Sequence, residues 1–166
     1  MKTSENGIIL IKHYESLHDG DLSRIGLQPK MCPAGYWTEG YGHAILGPDG
    51  QKIKGVSGKA LAYKNSIVKN ESQACNLLAK DLIWRETAIN RLGLNLTQNQ
   101  FDSLVSFSYN VGIGSFIKST LLADIRKKAP EKKIREDFLK WVYSDGKKLP
   151  GLVFRRQAEA DLFFEK

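Results

Sequence analysis

Glu15 is the first side chain in this sequence whose position suggests chemistry. It follows Ile8 and Ile11, which lie at helical spacing, so we expect it at the C-terminal end of a helix over residues 4–15. The negative end of a helix dipole disfavours a carboxylate, and general acid catalysis requires a carboxyl group that stays protonated near neutral pH. A solvent-exposed glutamate at a helix end is the alternative interpretation.

Further reactive side chains lie in residues 36–43, which read YWTEGYGH. The Thr38 hydroxyl could orient a water molecule or pair within a sheet, and His43 could be catalytic or a hydrogen-bonded structural residue. The rings of Trp37 and Tyr41 could stack on a sugar or base, or pack in a core. Residue types alone leave these alternatives open.

The surrounding sequence predicts the elements that must position these groups. Alternating residues and a turn signal at residues 47–50 (GPDG) predict a small antiparallel sheet over residues 36–56. Apolar periodicity predicts a long helix over residues 73–92, and a capping box at residues 97–100 (TQNQ) predicts the start of the next. Further helices are expected at about residues 120–128, around residues 134–142 and after Pro150-Gly151. Segregated strands and helices indicate the α+β class, with a cleft between a sheet-bearing lobe and a helical lobe as the natural substrate site.

Composition and charge exclude several classes of protein. With 166 residues, 42% hydrophobic and 26% charged, the chain is expected to form a globular domain. It has no long apolar run, so we expect no membrane insertion. Cys32, Cys75 and the histidines form no metal-ligand spacing, so we expect no metal and no cofactor. The net charge of +7 favours an anionic partner such as nucleic acid, acidic lipid or a wall polymer, or simply a solvated face.

Three ordered blocks carry a more specific signal. Residues 37–43 read WTEGYGH, residues 98–121 read QNQFDSLVSFSYNVGIGSFIKSTL, and residues 150–159 read PGLVFRRQAE. These blocks resemble the W-T-x-G-Y-G-H, Q-x-x-F-D-A-L-x-S-F-x-Y-N-x-G…F-x-x-S-T-L and P-G-L-x-x-R-R-x-x-E segments of phage-type lysozymes, glycoside hydrolase family 24. The resemblance extends over nearly the whole chain.

This resemblance implies a fold and an activity. The fold is a lysozyme-like α+β domain over residues 1–166, with a sheet-bearing lobe at about 16–72, a connecting helix at about 73–92, and a helical lobe at about 93–166 on which the N-terminal helix packs. The activity is hydrolysis of the β-1,4 bond between N-acetylmuramic acid and N-acetylglucosamine in peptidoglycan. Such a partner is anionic, so the basic charge is expected to increase its encounter rate.

The catalytic residues of the family are only partly matched. Glu15 matches the family's glutamate and Thr38 its threonine, but Cys32 stands at the position of the aspartate, and 16 residues rather than eight separate it from Glu15. Three explanations remain open. Cys32 replaces the aspartate while Thr38 orients water, Asp19 or Asp21 in the inserted segment supplies the second carboxyl, or one acid suffices and an anhydro sugar forms, as in a lytic transglycosylase.

Other matched residues are candidates for substrate binding. On the resemblance we predict that role for Tyr41, His43, Asn110 and Arg155. Arg155 or Arg156 could also supply a cation that favours a thiolate at Cys32, or hold Glu15 in place.

Partners and location follow from the same resemblance. It implies a monomer that accumulates in the host cytoplasm and reaches the periplasm or cell wall through a holin-type lesion, since no cleavable signal or anchor is evident. A wall-binding module with a disabled cleft is the alternative class. Nucleic-acid binding has no support beyond the charge.

Overall fold

The computed structural model describes residues 1–144 and 146–165, which form two compact units. The sheet unit consists of residues 15–81. The helical unit consists of residues 1–14 and the described residues from 82 onward. No helix in the described part of the chain is both long and apolar enough to cross a membrane.

The sheet unit contains a three-stranded antiparallel sheet in the order β1-β2-β3. Its elements are β1 (Lys30–Met31), β2 (Trp37–Glu39), β3 (His43–Ala44), a short 3-10 helix (Val56–Gly58), α2 (Lys59–Asn65) and the first part of α3 (Glu71–Asn90). Lys30 pairs with Thr38, and Thr38 pairs with Ala44. Thr38 is therefore on the central strand, with a neighbour on each side.

A small apolar core supports this sheet. It consists of Trp37, Ile45, Ile53 and Ala62, all buried. The indole nitrogen of Trp37 donates to the Gly55 carbonyl at 2.8 Å, so the polar atom of this buried ring is satisfied. The core fixes the strand on which Thr38 lies.

The prediction for the sheet is confirmed in part. The predicted turn forms, with the Gly50 amide donating to the Gly47 carbonyl at 3.0 Å, and β2 and β3 fall within residues 36–56. The prediction missed β1, since Lys30 and Met31 have no alternating pattern of their own. They become a strand only by pairing with β2.

The helical unit contains the remaining elements. They are α1 (Glu5–Glu15, whose last residue belongs to the sheet unit), the rest of α3, α4 (Gln98–Val111), α5 (Ile113–Ile117), α6 (Thr120–Arg126), α7 (Glu131–Leu139), β4 (Tyr143–Ser144), β5 (Lys147–Lys148) and α8 (Pro150–Phe164). The helices predicted at the N-terminus, over residues 73–92 and from residue 97 are present within one or two residues. The prediction missed α2, α5 and the β4–β5 hairpin, which are too short to show a period.

Helix α4 forms the centre of the helical unit. The predicted capping box is present at its start, with the Thr97 hydroxyl accepting from the Gln100 amide and the Gln100 side chain accepting from the Thr97 amide. Its buried face includes Phe107, whose ring makes edge contacts with Phe116 and Phe138 at centroid distances of 5.8 and 5.4 Å. Helices α7 and α8 pack on this core.

The start of α1 is anchored within the same unit. The Ser4 amide donates to Asp102 Oδ1 at 2.9 Å, and the Thr3 amide donates to Glu86 Oε1 at 2.8 Å. A Cβ at Gly7 would lie 2.8 Å from Asp102 Cβ, so glycine permits the close approach of α1 to Asp102. These contacts fix the helix that ends at Glu15.

Candidate active site

Glu15 is the last residue of α1. The helix ends there because Ser16 adopts a left-handed conformation, with φ of 56°. The carboxylate is half-buried, and its Oε2 lies 2.9 Å from the position that a Cβ on Gly42 would occupy. Gly42 has φ of 86°. The loop after β2 therefore passes directly beside the carboxylate of Glu15.

Thr38 lies on β2 and is only 6% exposed. Its hydroxyl donates to the Lys30 carbonyl at 3.0 Å. The ring nitrogen Nδ1 of His18 lies 2.8 Å from the same hydroxyl oxygen, and the His18 amide donates to the Gly40 carbonyl at 2.8 Å. His18 is thus joined to the central strand by both its backbone and its side chain.

The charge state of His18 depends on its surroundings. Burial has the largest effect and lowers the pKa of its imidazole from the ordinary value of 6.5, and the nearby charge of Lys30 also lowers it. The Glu15 carboxylate and a hydrogen bond with the Glu15 backbone raise the pKa. The net direction is downward, so His18 is neutral near pH 7. The structure therefore brings Glu15, His18 and Thr38 into one cluster. Sequence analysis missed His18, since its only signal is its place three residues after Glu15.

Cys32 lies in the turn that joins β1 to β2. Its amide donates to the Tyr36 carbonyl at 2.8 Å, and its carbonyl accepts from the Gly35 amide at 2.8 Å. Cys32 follows the end of β1, two residues after Lys30, which pairs with Thr38. The thiol is half-buried and free.

Asp19 and Asp21 both stabilise the inserted segment. Asp19 Oδ1 accepts from the amides of Asp21 and Gln28, each at 3.2 Å. Asp21 Oδ1 accepts from the amide and the hydroxyl of Ser23, at 3.2 and 2.6 Å. Hydrogen bonds from Ser23 lower the pKa of the Asp21 carboxyl. Each carboxylate is therefore engaged in holding its own loop.

Two predicted substrate-binding residues have protein partners within the sheet unit. Tyr41 is 5% exposed, and its hydroxyl donates to Glu71 Oε1 at 2.9 Å. His43, on β3, is half-buried, and its Nδ1 lies 2.8 Å from Asp81 Oδ2. Both contacts join the sheet to α3. A direct contact of either residue with substrate remains a prediction.

The other two predicted substrate-binding residues lie in the helical unit. Asn110 is exposed in the last turn of α4. Arg155 is buried on α8, where its Nε lies 3.1 Å from Glu159 Oε1, and Arg156 is buried beside the same carboxylate. The contacts of Arg155 and Arg156 within this unit belong to the helical core. The roles of Asn110, Arg155 and Arg156 at the site remain predictions.

The geometry provides a carboxyl group for proton transfer, a buried hydroxyl and an imidazole. Among the described residues, no group of three histidine, cysteine, aspartate or glutamate side chains is placed to hold a metal ion. The arrangement fits acid catalysis by side chains.

Comparison with known proteins identifies the family of the chain. The sequence profile described as phage lysozyme matches residues 24–159. The chain belongs to the phage lysozyme family. This phage lysozyme is therefore a glycoside hydrolase with a lysozyme-like α+β fold, as the sequence predicts.

Individual relatives of the phage lysozyme match over most of its length. It is 33% identical over 168 residues to an endolysin of Acyrthosiphon pisum secondary endosymbiont phage 1, with 98% of each chain covered. It is 36% identical over 164 residues to the endolysin of Bacillus phage B103, and the match covers 98% of this chain but 54% of that relative. Among solved structures, the muramidase domain of SpmX from Asticaccaulis excentricus is 29% identical, with 99% of each chain covered and a TM-score of 0.74.

Proposed function

We propose that this phage lysozyme cleaves the β-1,4 bond between N-acetylmuramic acid and N-acetylglucosamine in peptidoglycan, with Glu15 as the general acid. The observation that carries the proposal is the position of Glu15. It ends α1, its carboxylate is half-buried beside Gly42, and it belongs to the same cluster as Thr38 and His18. Relatives named endolysin and muramidase support the same activity.

Glu15 would act at the leaving group. Its protonated carboxyl donates a proton to the glycosidic oxygen as the bond from the anomeric carbon to that oxygen breaks. Positive charge develops on the sugar ring, and the carboxylate left on Glu15 stabilises it electrostatically.

Water would complete the reaction at the anomeric carbon. The water oxygen forms the new bond to that carbon as one of its O–H bonds breaks. The released proton passes to solvent, and the Glu15 carboxylate takes up a proton from solvent, which restores the acid. We assign the orientation of this water to Thr38 and the second stabilising group to Cys32, which directly follows the strand that pairs with Thr38. Asp19 and Asp21 are engaged in loop hydrogen bonds, which favours Cys32 over either carboxylate.

Mass spectrometry of the fragments released from purified peptidoglycan tests the proposal. The wild-type chain is expected to release fragments with reducing muramic-acid ends. Glu15→Gln should reduce release by at least about 100-fold, whereas Glu5→Gln, in the exposed first turn of the same helix, should not. Fragments lighter by one water would instead indicate an anhydro product and a transglycosylase. If the wild type binds walls but releases no sugar, the hydrolase proposal fails.

The biological role would be lysis of the host cell wall. The enzyme would act as a monomer and would reach the wall through a holin-type lesion. The basic net charge of +7 supports recruitment to an anionic wall. Lytic activity on purified walls should fall as salt rises from about 0.05 to 0.5 M, because the Debye length shrinks over this range. Equal activity at both salt concentrations would contradict electrostatic recruitment.

Expression of the chain with and without a holin, followed by measurement of lysis, tests the route by which the enzyme reaches the wall.

A further inference from the structure

His18 has no assigned role, although the inserted segment carries it directly to the site. The segment between Glu15 and β1 is tied down by backbone bonds, with the Gly20 amide donating to the Gln28 carbonyl at 3.1 Å and the Leu27 amide donating to the Lys69 carbonyl at 2.9 Å. The His18 amide bonds to Gly40, two residues after Thr38. The imidazole is therefore presented to Thr38 by a fixed backbone.

Hydrogen-bond accounting at Thr38 determines which atom carries each proton. A threonine hydroxyl has one hydrogen to donate and two lone pairs. The Lys30 carbonyl, 3.0 Å away, can only accept, so it takes the hydroxyl hydrogen. His18 Nδ1, 2.8 Å from the same oxygen, must then donate. Both bonds form together only if His18 carries its proton on Nδ1.

After the bonds with Lys30 and His18, the Thr38 hydroxyl oxygen has one lone pair left to accept a hydrogen bond and no hydrogen left to donate. Because burial lowers the pKa of His18, the imidazole near pH 7 is neutral and has a single N–H. The Thr38 bond places this hydrogen on Nδ1, so a bond with the Glu15 backbone must share it. Glu15 and Lys30 are the charged groups that act on it. An attacking water at Thr38 can then only donate to the hydroxyl oxygen, which leaves the lone pairs of the water free to face the sugar.

We propose that His18 is a positioning residue of the hydrolase site, whose Nδ1–H holds the Thr38 hydroxyl with its hydrogen turned to Lys30 so that Thr38 accepts a hydrogen bond from the attacking water. The inference rests on the proposed function of Glu15 and Thr38. In this proposal the inserted segment brings a neutral hydrogen-bond donor to the sheet, beside the general acid.

Nitrogen-15 NMR of the histidine rings tests the hydrogen bond without any activity measurement. The expected result for His18 at pH 7 is the neutral Nδ1–H tautomer, and Thr38→Val should shift its ring signals. The signals of His13, an exposed residue of α1, provide the internal reference. A dominant Nε2–H tautomer at His18 would overturn the proposal, because Nδ1 would then accept from Thr38.

Kinetics of variants test the role. His18→Leu should lower kcat by about 10–100-fold with KM nearly unchanged, since misdirecting a reacting group costs on this order. His18→Asn, which retains a donor near the position of Nδ1, should recover most of the loss. In a Thr38→Val background, His18→Leu should have little further effect, because the two residues act as a unit.

One control variant and the pattern of losses separate the possible failures. Ser23→Ala, at an exposed position of the same segment, should retain wild-type activity. A fully active His18→Leu, or losses that multiply in the double variant, would overturn the positioning role even if Glu15→Gln is inactive. An active Glu15→Gln would instead overturn the proposed function and leave the NMR result standing. If His18→Leu does not fold, His18→Asn and the tautomer decide the outcome.

Discussion

The carboxylate of Glu15 occupies the space in which a side chain on Gly42 would begin. Its Oε2 is 2.9 Å from that Cβ position, and Gly42 has φ of 86°. Gly42→Ala should therefore displace Glu15 and strain the backbone by about 1–2 kcal/mol. We expect kcat on peptidoglycan to fall by about 100-fold, since a shift of about 1 Å in a reacting group has an effect of this order.

Gly50→Ala is the matched control for this prediction. Gly50 also has a positive φ, of 75°, but no described atom lies within 4 Å of its Cβ position. It should lose similar stability in urea unfolding and keep its activity. Equal kcat for the two variants would show that Gly42 is needed only for its backbone conformation.

The thiol of Cys32 is expected to supply the second group at the site. Cys32→Ala should lower kcat by at least about 10-fold, because the site then retains only the general acid for a reaction that usually uses a second group on the opposite side of the sugar. Cys32→Asp should retain activity, since a carboxylate at this position can stabilise the same charge. Release of reducing ends from peptidoglycan provides the measurement.

Cys75→Ala is the control for loss of a half-buried thiol, and it should behave as the wild type. A fully active Cys32→Ala would rule out the thiol. Asp19→Asn and Asp21→Asn would then be compared, and loss of activity without loss of the folded state would assign the role to that carboxylate.

The buried carboxylate of Glu159 joins two arginines in the helical core. It lies 3.1 Å from Arg155 Nε and 2.8 Å from Arg156 Nε, and it accepts from the Ser106 hydroxyl at 2.8 Å. Glu159→Gln removes the carboxylate that contacts two buried guanidinium groups. We expect the free energy of unfolding to fall by about 3–5 kcal/mol, measured by urea titration at low temperature.

A surface ion pair gives the comparison for Glu159. Glu131 is exposed and lies 2.7 Å from Arg135 Nε, so Glu131→Gln should change the free energy of unfolding by less than about 1 kcal/mol. Similar losses in the two variants would mean that burial does not set the strength of the Glu159 cluster.

Asp137 makes the stability of the helical unit sensitive to acid. Burial by itself would raise the pKa of its carboxyl, but hydrogen bonds from Lys133 and Lys140 lower it from 3.8 to about 2. A carboxyl with a lowered folded-state pKa stabilises the protein above its unfolded value, and this contribution is lost as the pH falls from about 4 to about 2. Asp137→Asn should remove that pH dependence from the free energy of unfolding. An unchanged slope between pH 4 and 2 would refute the assignment.

Much of the local structure could be predicted because its causes are local. The capping box at Thr97 involves residues three apart, and the turn at Gly47 involves four consecutive residues. The amphipathic helices show their period within a few turns. By contrast, β1 has no pattern of its own, and its strand depends on pairing with Trp37 and Thr38.

The sequence by itself determined the family, the longer helices and the candidate acid Glu15, since ordered motifs and helical periods are properties of the linear chain. Only the tertiary structure decided what surrounds these groups. His18 contacts Thr38, 20 residues away in the sequence. Arg155 contacts Glu159 and Ser106 inside the helical core. The buried Tyr41 donates a hydrogen bond to Glu71. Burial and hydrogen-bond partners depend on distant segments that fold together, and one-dimensional spacing does not contain them.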